Sequence, residues 1–303
     1  MIKGIDVSYA QGRPNWKLIK ESSEVDFVYV KASEGLASKG PDSSFSYNWK
    51  SLLEFGIPRG AYHFYRPSID PTKQAETFFN IVGELKKDDL PPVIDVEVPP
   101  AEGQSTSQYA ENVKKFIERA EELFKRKIVV YTGGPIFNSS TKGAPREILD
   151  FISDRELWLA AYVTDPNKFI PTAWTNQKKS WSIWQKSGDI GANNSPGKII
   201  PGIKGVVDYN EFTLNVTSLQ EWIGASHPVV KVNENIEPEF PIEIEIETSQ
   251  STPVNVEVQT PEVSIDNVTK ETQPVIELRN NNFLEIFLGY IKFIFSIFFR
   301  SNK

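Results

Sequence analysis

The chain has 303 residues, a formal net charge of −7, 39% hydrophobic and 12% aromatic residues, two histidines and no cysteine. This length is sufficient for one large domain and an additional segment. Without cysteine there is no disulfide framework or thiolate metal site, and two histidines are too few for a histidine-based metal cluster. We therefore predict that the protein uses neither a metal nor another cofactor.

The acidic residues are unevenly distributed. Residues 232–278 contain eleven acidic residues and one lysine, whereas residues 1–231 have no net charge. Nucleic-acid binding requires a basic surface, so the neutral main region argues against a nucleic-acid partner. No apolar leader segment follows Met1, and we expect no secretory signal peptide.

Eight strands are predicted along the main region, and helices separate the first five of them. The strands are predicted at residues 3–8, 26–32, 60–65, 91–98, 128–131, 157–162, 181–185 and 205–209. The helices are predicted at residues 15–19, 43–55, 70–85 and 107–127. The last three strands are joined by segments with little helical pattern. This order predicts an α/β barrel related to the (β/α)₈ type.

Polar and aromatic residues recur at the predicted carboxyl ends of these strands, where such barrels carry their sites. The acidic ones are Asp6, Glu34, Asp95, Glu97 and Asp208, and the others are Tyr62, Tyr131, Tyr162, Trp184 and Gln185. Acids from several strands would meet at one mouth, and aromatic faces beside them suit a sugar-binding groove. For each aromatic residue, packing in the core is an equally good interpretation.

The predicted strand at residues 91–98 carries two acids, Asp95 and Glu97, two positions apart. Side chains on a strand alternate between faces, so both carboxyls would lie on one face. Such a pair is costly to bury unless it is used or paired, and crowding separates the two pKa values into an acid and an anion. A solvated or salt-bridged strand end is the alternative, and the segment alone leaves both interpretations open.

Six motifs occur in order along residues 1–223. They are Gly4-Ile5-Asp6-Val7-Ser8, Gly60-Ala61-Tyr62-His63-Phe64, Ile94-Asp95-Val96-Glu97, Leu157-Trp158-Leu159-Ala160-Ala161-Tyr162, Trp184-Gln185 and Val207-Asp208-Tyr209-Asn210-Glu211-Phe212. Together they resemble the glycoside hydrolase family 25 lysozymes, the Chalaropsis-type muramidases. The resemblance implies an irregular barrel with five β/α units and three further strands.

The resemblance also implies a reaction. This is hydrolysis of the β-1,4 bond between N-acetylmuramic acid and N-acetylglucosamine in peptidoglycan, whose glycan strands would be the binding partner. Glu97 matches the general acid, and Asp95 matches the carboxylate that assists the N-acetyl group of the substrate or stabilises an oxocarbenium-like state. Asp6 and Asp208 match acids that orient this pair. The alternatives are a chitinase-like glycosidase and a non-catalytic glycan-binding barrel.

The composition changes after the predicted barrel, which we place at residues 1–225. Residues 226–280 are acidic and interrupted by prolines, which predicts a disordered linker. Residues 281–303 include an almost entirely apolar segment from Phe283 to Phe299, about 25 Å long as a helix. We expect this hydrophobic helix to contact a membrane, either spanning it or lying in its interface, with packing on the barrel as the alternative.

The predicted place of action is the cell wall, with the protein held at a membrane by this helix. The sequence does not indicate an export route. A third hypothesis makes the C-terminal helix the membrane-disrupting effector and the hydrolase its targeting domain.

Overall fold

The computed structural model describes residues 2–38, 40–188, 197–212 and 218–225. The predicted linker at residues 226–280 and the predicted helix at residues 281–303 lie outside these ranges. Within them, no helix combines the length and apolar character that crossing a membrane requires.

Over the described ranges, nine strands form one sheet, and eight of them close into a barrel. The strands are β1 (Lys3–Val7), β2 (Phe27–Glu34), β3 (Arg59–Phe64), β4 (Val93–Asp95), β5 (Val129–Thr132), β6 (Leu157–Ala160), β7 (Ile183–Ser187), β8 (Lys198–Ile199) and β9 (Val206–Phe212). Strands β1 to β7 are parallel neighbours in chain order. Strand β9 runs antiparallel to both β7 and β1 and closes the barrel, while β8 pairs with β9 outside it.

Most helices pack on the outer layer of the barrel, whereas the last one packs Leu219, Trp222 and Ile223 on a separate apolar cluster. The helices are α1 (Trp16–Ser22), α2 (Phe45–Glu54), α3 (Pro71–Val82), α4 (Thr106–Phe124), α5 (Gly134–Ser140), α6 (Arg146–Ser153), α7 (Thr172–Asn176) and α8 (Leu219–Ala225). Short 3-10 helices at Tyr9–Gln11 and Pro166–Phe169 lie in the connections. The predicted α/β barrel with eight strands is confirmed. The connection between β6 and β7 contains α7, where little helix was predicted, because five residues are too few to show a helical period.

The longer helices begin where the sequence predicts. The side chain of Asp70 accepts a hydrogen bond from Lys73 N at 2.8 Å, and Pro71 occupies the first turn of α3. Ser105 caps α4 in the same way by accepting from Gln108 N at 3.1 Å. Each helix then presents one apolar face to the outer surface of the barrel.

Successive residues of each strand face opposite sides of the barrel wall. On β2, Val28 and Val30 pack in the layer beneath the helices, whereas Phe27 and Tyr29 belong to a separate apolar cluster inside the barrel. Gly60 on β3 leaves room for this interior, since a Cβ there would lie 2.1 Å from the Tyr29 ring. The apolar interior ends beneath a layer of polar side chains at the carboxyl ends of the strands.

Candidate active site

Asp6 and Asp208 face each other across the two strands that close the barrel. The antiparallel β1–β9 ladder places them directly opposite one another, so their side chains share a face. Amide donors lie between them. Gln185 Nε2 donates to Asp6 Oδ2 at 3.0 Å and to Asp208 Oδ2 at 3.4 Å, and Asn210 Nδ2 donates to Asp6 Oδ2 at 2.8 Å. These donors allow two carboxylates to be held close together.

Gln185 is buried, and all of its hydrogen-bonding capacity is used. Its Oε1 accepts from the phenol groups of Tyr131 at 2.7 Å and Tyr162 at 2.8 Å, while its Nε2 donates to Asp6 and Asp208. A flipped amide would turn its oxygen toward two carboxylates, so only one orientation satisfies the network. We predicted Gln185 as a substrate-binding residue, and the structure instead gives it four protein partners.

Asn210 is a site residue that the sequence reasoning did not single out. It is fully buried, donates to Asp6 and accepts from Trp158 Nε1 at 2.8 Å. The available signal was its position two residues after Asp208, which puts both side chains on the inner face of β9. The Asn210 amide thus links Asp6 to the aromatic interior of the barrel.

Asp95 and Glu97 lie at the same mouth, but they do not share a strand. Strand β4 ends at Asp95, and although Val96 N still donates to Tyr131 O at 2.8 Å, the chain leaves the sheet before Glu97. The predicted strand at residues 91–98 was therefore too long. The prolines at positions 99 and 100 have no N–H group with which to continue a ladder.

The protein environment favours protonation of this carboxyl pair. Asp95 is 6% exposed, and its Oδ1 has no hydrogen-bond partner among the described residues. Burial, followed by the charge of Glu97, raises the pKa of Asp95 well above its usual value. Burial and the charges of Asp6 and Glu34 raise the pKa of Glu97 to about 7, against the opposing effect of Lys31 and Arg66. The charge of Glu97 adds to the cost of ionising Asp95, so the pair favours a state in which only one of the two carboxyls is ionised.

Glu34 forms an ion-pair cluster beside these acids. Lys31 Nζ lies 2.7 Å from Glu34 Oε2, and Arg66 Nε donates to Glu34 Oε1 at 2.8 Å. Burial alone would raise the pKa of Glu34, but Lys31 and Arg66 outweigh it and lower that pKa. Glu34 is thus an ionised carboxylate with two cationic partners.

Tyr62 lies on the inner face of β3, with its backbone in register with Lys31 on β2. Burial and the nearby carboxylates, first Asp6 and then Asp95 and Asp208, raise the pKa of its phenol well above the usual range. Burial also raises the pKa values of the Tyr131 and Tyr162 phenols, and nearby carboxylates add to this effect. All three are neutral phenols at the mouth of the barrel.

Trp184 is the exception among the predicted site residues, because the structure does not bring it to this mouth. Its neighbour Gln185 faces inward, and the strand alternation turns Trp184 to the outer layer. There its Nε1 donates to Ala161 O at 2.6 Å, and its ring lies 6.0 Å from that of Trp181. Trp184 thus packs in the outer layer of the barrel and does not line the predicted groove.

The site combines the partly exposed carboxyl of Glu97 and the buried carboxyl of Asp95, both with raised pKa values, with two anchored carboxylates and three phenols. This arrangement can deliver a proton to a leaving oxygen and stabilise positive charge beside it, which is the chemistry of glycosidic bond cleavage. Across the described ranges, no three acidic or histidine side chains are grouped as metal ligands.

The chain is similar to known proteins of one family. The family model described as "Glycosyl hydrolases family 25" matches residues 5–193. Lysozyme M1 of Streptomyces globisporus is 34% identical over 223 residues, covering 70% of this chain and 67% of that protein. The N,O-diacetylmuramidase of Chalaropsis sp is 28% identical over 214 residues, covering 67% and 97%.

The barrel is also similar to solved structures. The bacterial lysozyme from Streptomyces coelicolor superimposes with a TM-score of 0.63 at 30% identity, and the alignment covers 74% of this chain and 98% of that one. The family match spans more than half of the chain and includes most of β1 and all of β2 to β7, with Asp6, Asp95 and Glu97. The chain is therefore a glycoside hydrolase that belongs to glycosyl hydrolase family 25.

Proposed function

We propose that this protein is a lysozyme that hydrolyses the β-1,4 bond between N-acetylmuramic acid and N-acetylglucosamine in peptidoglycan. Family membership supports this substrate, as do relatives named lysozyme and N,O-diacetylmuramidase. The observation that carries the proposal is the carboxyl pair of Asp95 and Glu97, whose pKa values are both raised, at the mouth of the barrel.

Glu97 is the proposed general acid. With a pKa of about 7, it retains a proton in neutral solution yet transfers it readily. It is also more exposed than Asp95, so it is the member of the pair that reaches the glycosidic oxygen. The proton passes from Glu97 to that oxygen, the bond to the anomeric carbon breaks, and the N-acetylglucosamine side leaves as an alcohol.

Asp95 is the proposed assisting carboxylate in the reactive form of the pair, in which Glu97 carries the proton and Asp95 is ionised. Its Oδ1, buried and without a hydrogen-bond partner among the described residues, can accept the N–H of the substrate's acetamido group. That bond would orient the acetamido oxygen toward the anomeric carbon and stabilise the positive charge that develops there. In the second half of the reaction, Glu97 removes a proton from water as the water attacks the anomeric carbon, which restores the acid.

Asp6 and Asp208 are the proposed electrostatic partners of this pair. Gln185 fixes both of them and Asn210 fixes Asp6, so their negative charge stays in place throughout the cycle. This charge favours keeping a proton on Glu97 and stabilises a cationic sugar. Positioned carboxylates of this kind need no reorganisation when the charge develops.

Substrate contact is proposed for Tyr62, Tyr131, Tyr162 and Glu34. The three tyrosines surround the carboxyl pair, and their ring faces suit the apolar faces of sugars. Glu34 would accept hydroxyl hydrogens through its carboxylate while keeping its two cationic partners. Lost binding without loss of turnover in a Tyr62→Ala variant would support this assignment.

The decisive experiment is digestion of purified peptidoglycan followed by mass analysis of the released muropeptides. The wild-type protein should release fragments with N-acetylmuramic acid at the reducing end, and Glu97→Gln should release none while remaining folded. Asp95→Asn should lose about a thousandfold in rate, or ~4 kcal/mol of barrier.

The matched control is Glu118→Gln on α4, which removes a half-exposed carboxylate paired with Lys114 at 3.6 Å. It should digest at the wild-type rate. Rapid digestion by folded Glu97→Gln would refute the role of that residue. Cleavage of chitin oligomers without cleavage of peptidoglycan would refute the substrate.

We also propose membrane association through residues 283–299, which rests on their apolar sequence alone. Flotation of the full chain with lipid vesicles, compared with a variant ending at residue 225, tests it. The full chain should float and the shortened one should not. Equal recovery of both in the soluble fraction would rule the membrane contact out.

A further inference from the structure

Lys31 is a cation on the inner face of the barrel, and the proposed mechanism does not use it. Its side chain is 14% exposed, and its ammonium makes an ion pair with Glu34 at 2.7 Å. The same nitrogen lies 4.7 Å from the centre of the Phe64 ring. An ammonium held by one carboxylate and one aromatic face has a fixed position.

Phe64 brings this ammonium close to the carboxyl pair. The backbone of Phe64 is in register with Glu34 on one side and Asp95 on the other. Arg66 approaches the same ring, with its guanidinium carbon 4.6 Å from the ring centre, and it also binds Glu34. The Phe64 ring is thus flanked by two cations that share one carboxylate, immediately beside Asp95.

The backbone of Arg66 is fixed as well. The Gln74 side chain accepts from Arg66 N at 2.8 Å and donates to Arg66 O at 3.0 Å. The His63 ring contacts Gln74 in turn, with Nε2 at 3.2 Å from Gln74 Oε1. Burial lowers the pKa of His63 to about 4. The support of Arg66 is therefore uncharged except at the acidic end of the pH range, near pH 4.

Charged and titratable groups face the carboxyl pair from every element around it. They are Asp6 on β1, Lys31 and Glu34 on β2, Tyr62 on β3, Arg66 after β3, Tyr131 on β5, Tyr162 after β6 and Asp208 on β9. The three phenols stay neutral. Lys31 and Arg66 are the cations of this set, and Lys31 is the more buried of the two.

We propose that Lys31 is a positioning residue that sets the pH range of catalysis by opposing the carboxylates around Asp95 and Glu97. Glu34 limits its effect by neutralising part of its charge. The cluster of Lys31, Glu34, Phe64 and Arg66 thus adjusts the electrostatic potential at the carboxyl pair. This inference rests on the proposed lysozyme function.

Two substitutions in this cluster should have effects of opposite sign. Lys31→Met removes a positive charge, which raises the pKa of both members of the pair and moves both limbs of the pH–rate profile to higher pH. Glu34→Gln removes a negative charge and should move both limbs to lower pH. For a charge within this distance of a partly buried site, the shift should be about half a pH unit or more.

The experiment measures kcat/KM on solubilised peptidoglycan from pH 4 to pH 9 for the wild type, both variants and Lys31→Arg. The arginine keeps the positive charge and should restore the wild-type profile. The matched control is Lys114→Met, because Lys114 also pairs with a glutamate and lies 5.4 Å from a phenylalanine ring, Phe151, but on α4. It should leave both limbs unchanged.

If Lys31→Met and Glu34→Gln both lose rate while the limbs of their pH–rate profiles stay where they are in the wild type, the proposed role of Lys31 in setting the pH range is overturned. That result would show that the cluster is structural. If Lys31→Met does not fold, Glu34→Gln still tests the proposal. Limbs of its pH–rate profile that do not move to lower pH would refute the proposed role of the cluster. Retained activity in Glu97→Gln would instead refute the proposed function, so the two failures are distinguishable.

Discussion

Replacing Glu97 with glutamine should stabilise the fold while it abolishes activity, and the gain should depend on pH. The pKa of Glu97 is raised from 4.5 to about 7 by burial and by nearby carboxylates. A raised pKa means that the folded protein binds the proton more tightly than the unfolded chain does. Its contribution to stability is complete below about pH 4.5 and is lost as the pH rises through about 7.

The size of the effect follows from this shift. Each pKa unit corresponds to about 1.4 kcal/mol, which sets an upper bound of about 3 kcal/mol on the cost of ionising Glu97 in the folded state. Partial exposure of the side chain to water reduces this to about 2 kcal/mol. Glutamine has a similar shape and no charge, so the variant avoids this cost at pH 8 and gains nothing at pH 4.

Thermal unfolding of both proteins at pH 4 and pH 8 measures the difference. For a domain of this size, ~2 kcal/mol corresponds to a rise in Tm of about 4–8 °C, expected at pH 8 only. The control variant Glu118→Gln should show no such dependence on pH. Equal Tm differences at both pH values, or a less stable Glu97→Gln protein at pH 8, would refute the electrostatic reasoning.

Three further substitutions test other parts of the structure. Asp89→Ala strands the buried Arg59, whose Nε lies 2.8 Å from Asp89 Oδ1, and should cost about 3–5 kcal/mol in urea unfolding; an unchanged midpoint would contradict this. Gln185→Leu removes a donor to Asp6 and should lower kcat about a hundredfold in a folded protein, whereas activity within twofold would show that the amide is dispensable. Trp184→Leu should lose about 2–4 kcal/mol of stability without weakening the binding of glycan oligomers. Weaker binding with unchanged stability would show that Trp184 contacts the substrate.

The sequence was most informative where hydrophobic alternation was strong. All eight barrel strands lie where the β-branched and aromatic runs predicted them, because each buries side chains on both faces. The direction of the last strand has no local signal. β9 runs antiparallel to its neighbours, and this pairing depends on contacts with β1, some two hundred residues away along the chain.

The site was less predictable because it depends on which face each side chain occupies. Strict alternation would have separated Trp184 from Gln185, since adjacent residues on a strand cannot both face the barrel mouth. The same rule puts Lys31 on the inner face with Phe27 and Tyr29, which would have revealed a cation inside the barrel.

Glu97 shows a different limit. Counting two positions from Asp95 placed both acids on one strand face, but β4 ends at Asp95. What brings Glu97 to the mouth is the course of the chain after the strand, and that depends on tertiary contacts. The hydrogen-bond pattern of Gln185 likewise requires four side chains from four distant parts of the chain, which no sequence spacing encodes.

The closure of the barrel by β1 and β9 also constrains how the protein folds. The hydrogen bond from Asn210 to Asp6 joins residues 204 positions apart, and the ladder around it is equally non-local. Such contacts form late and slow the folding of a chain, because a long loop must be closed before they contribute. During synthesis, Asp6 has no strand β9 beside it until nearly the whole barrel has left the ribosome. Hydrolytic competence would then appear in one step with barrel closure, since the Asp6–Asp208 pairing exists only in the closed barrel.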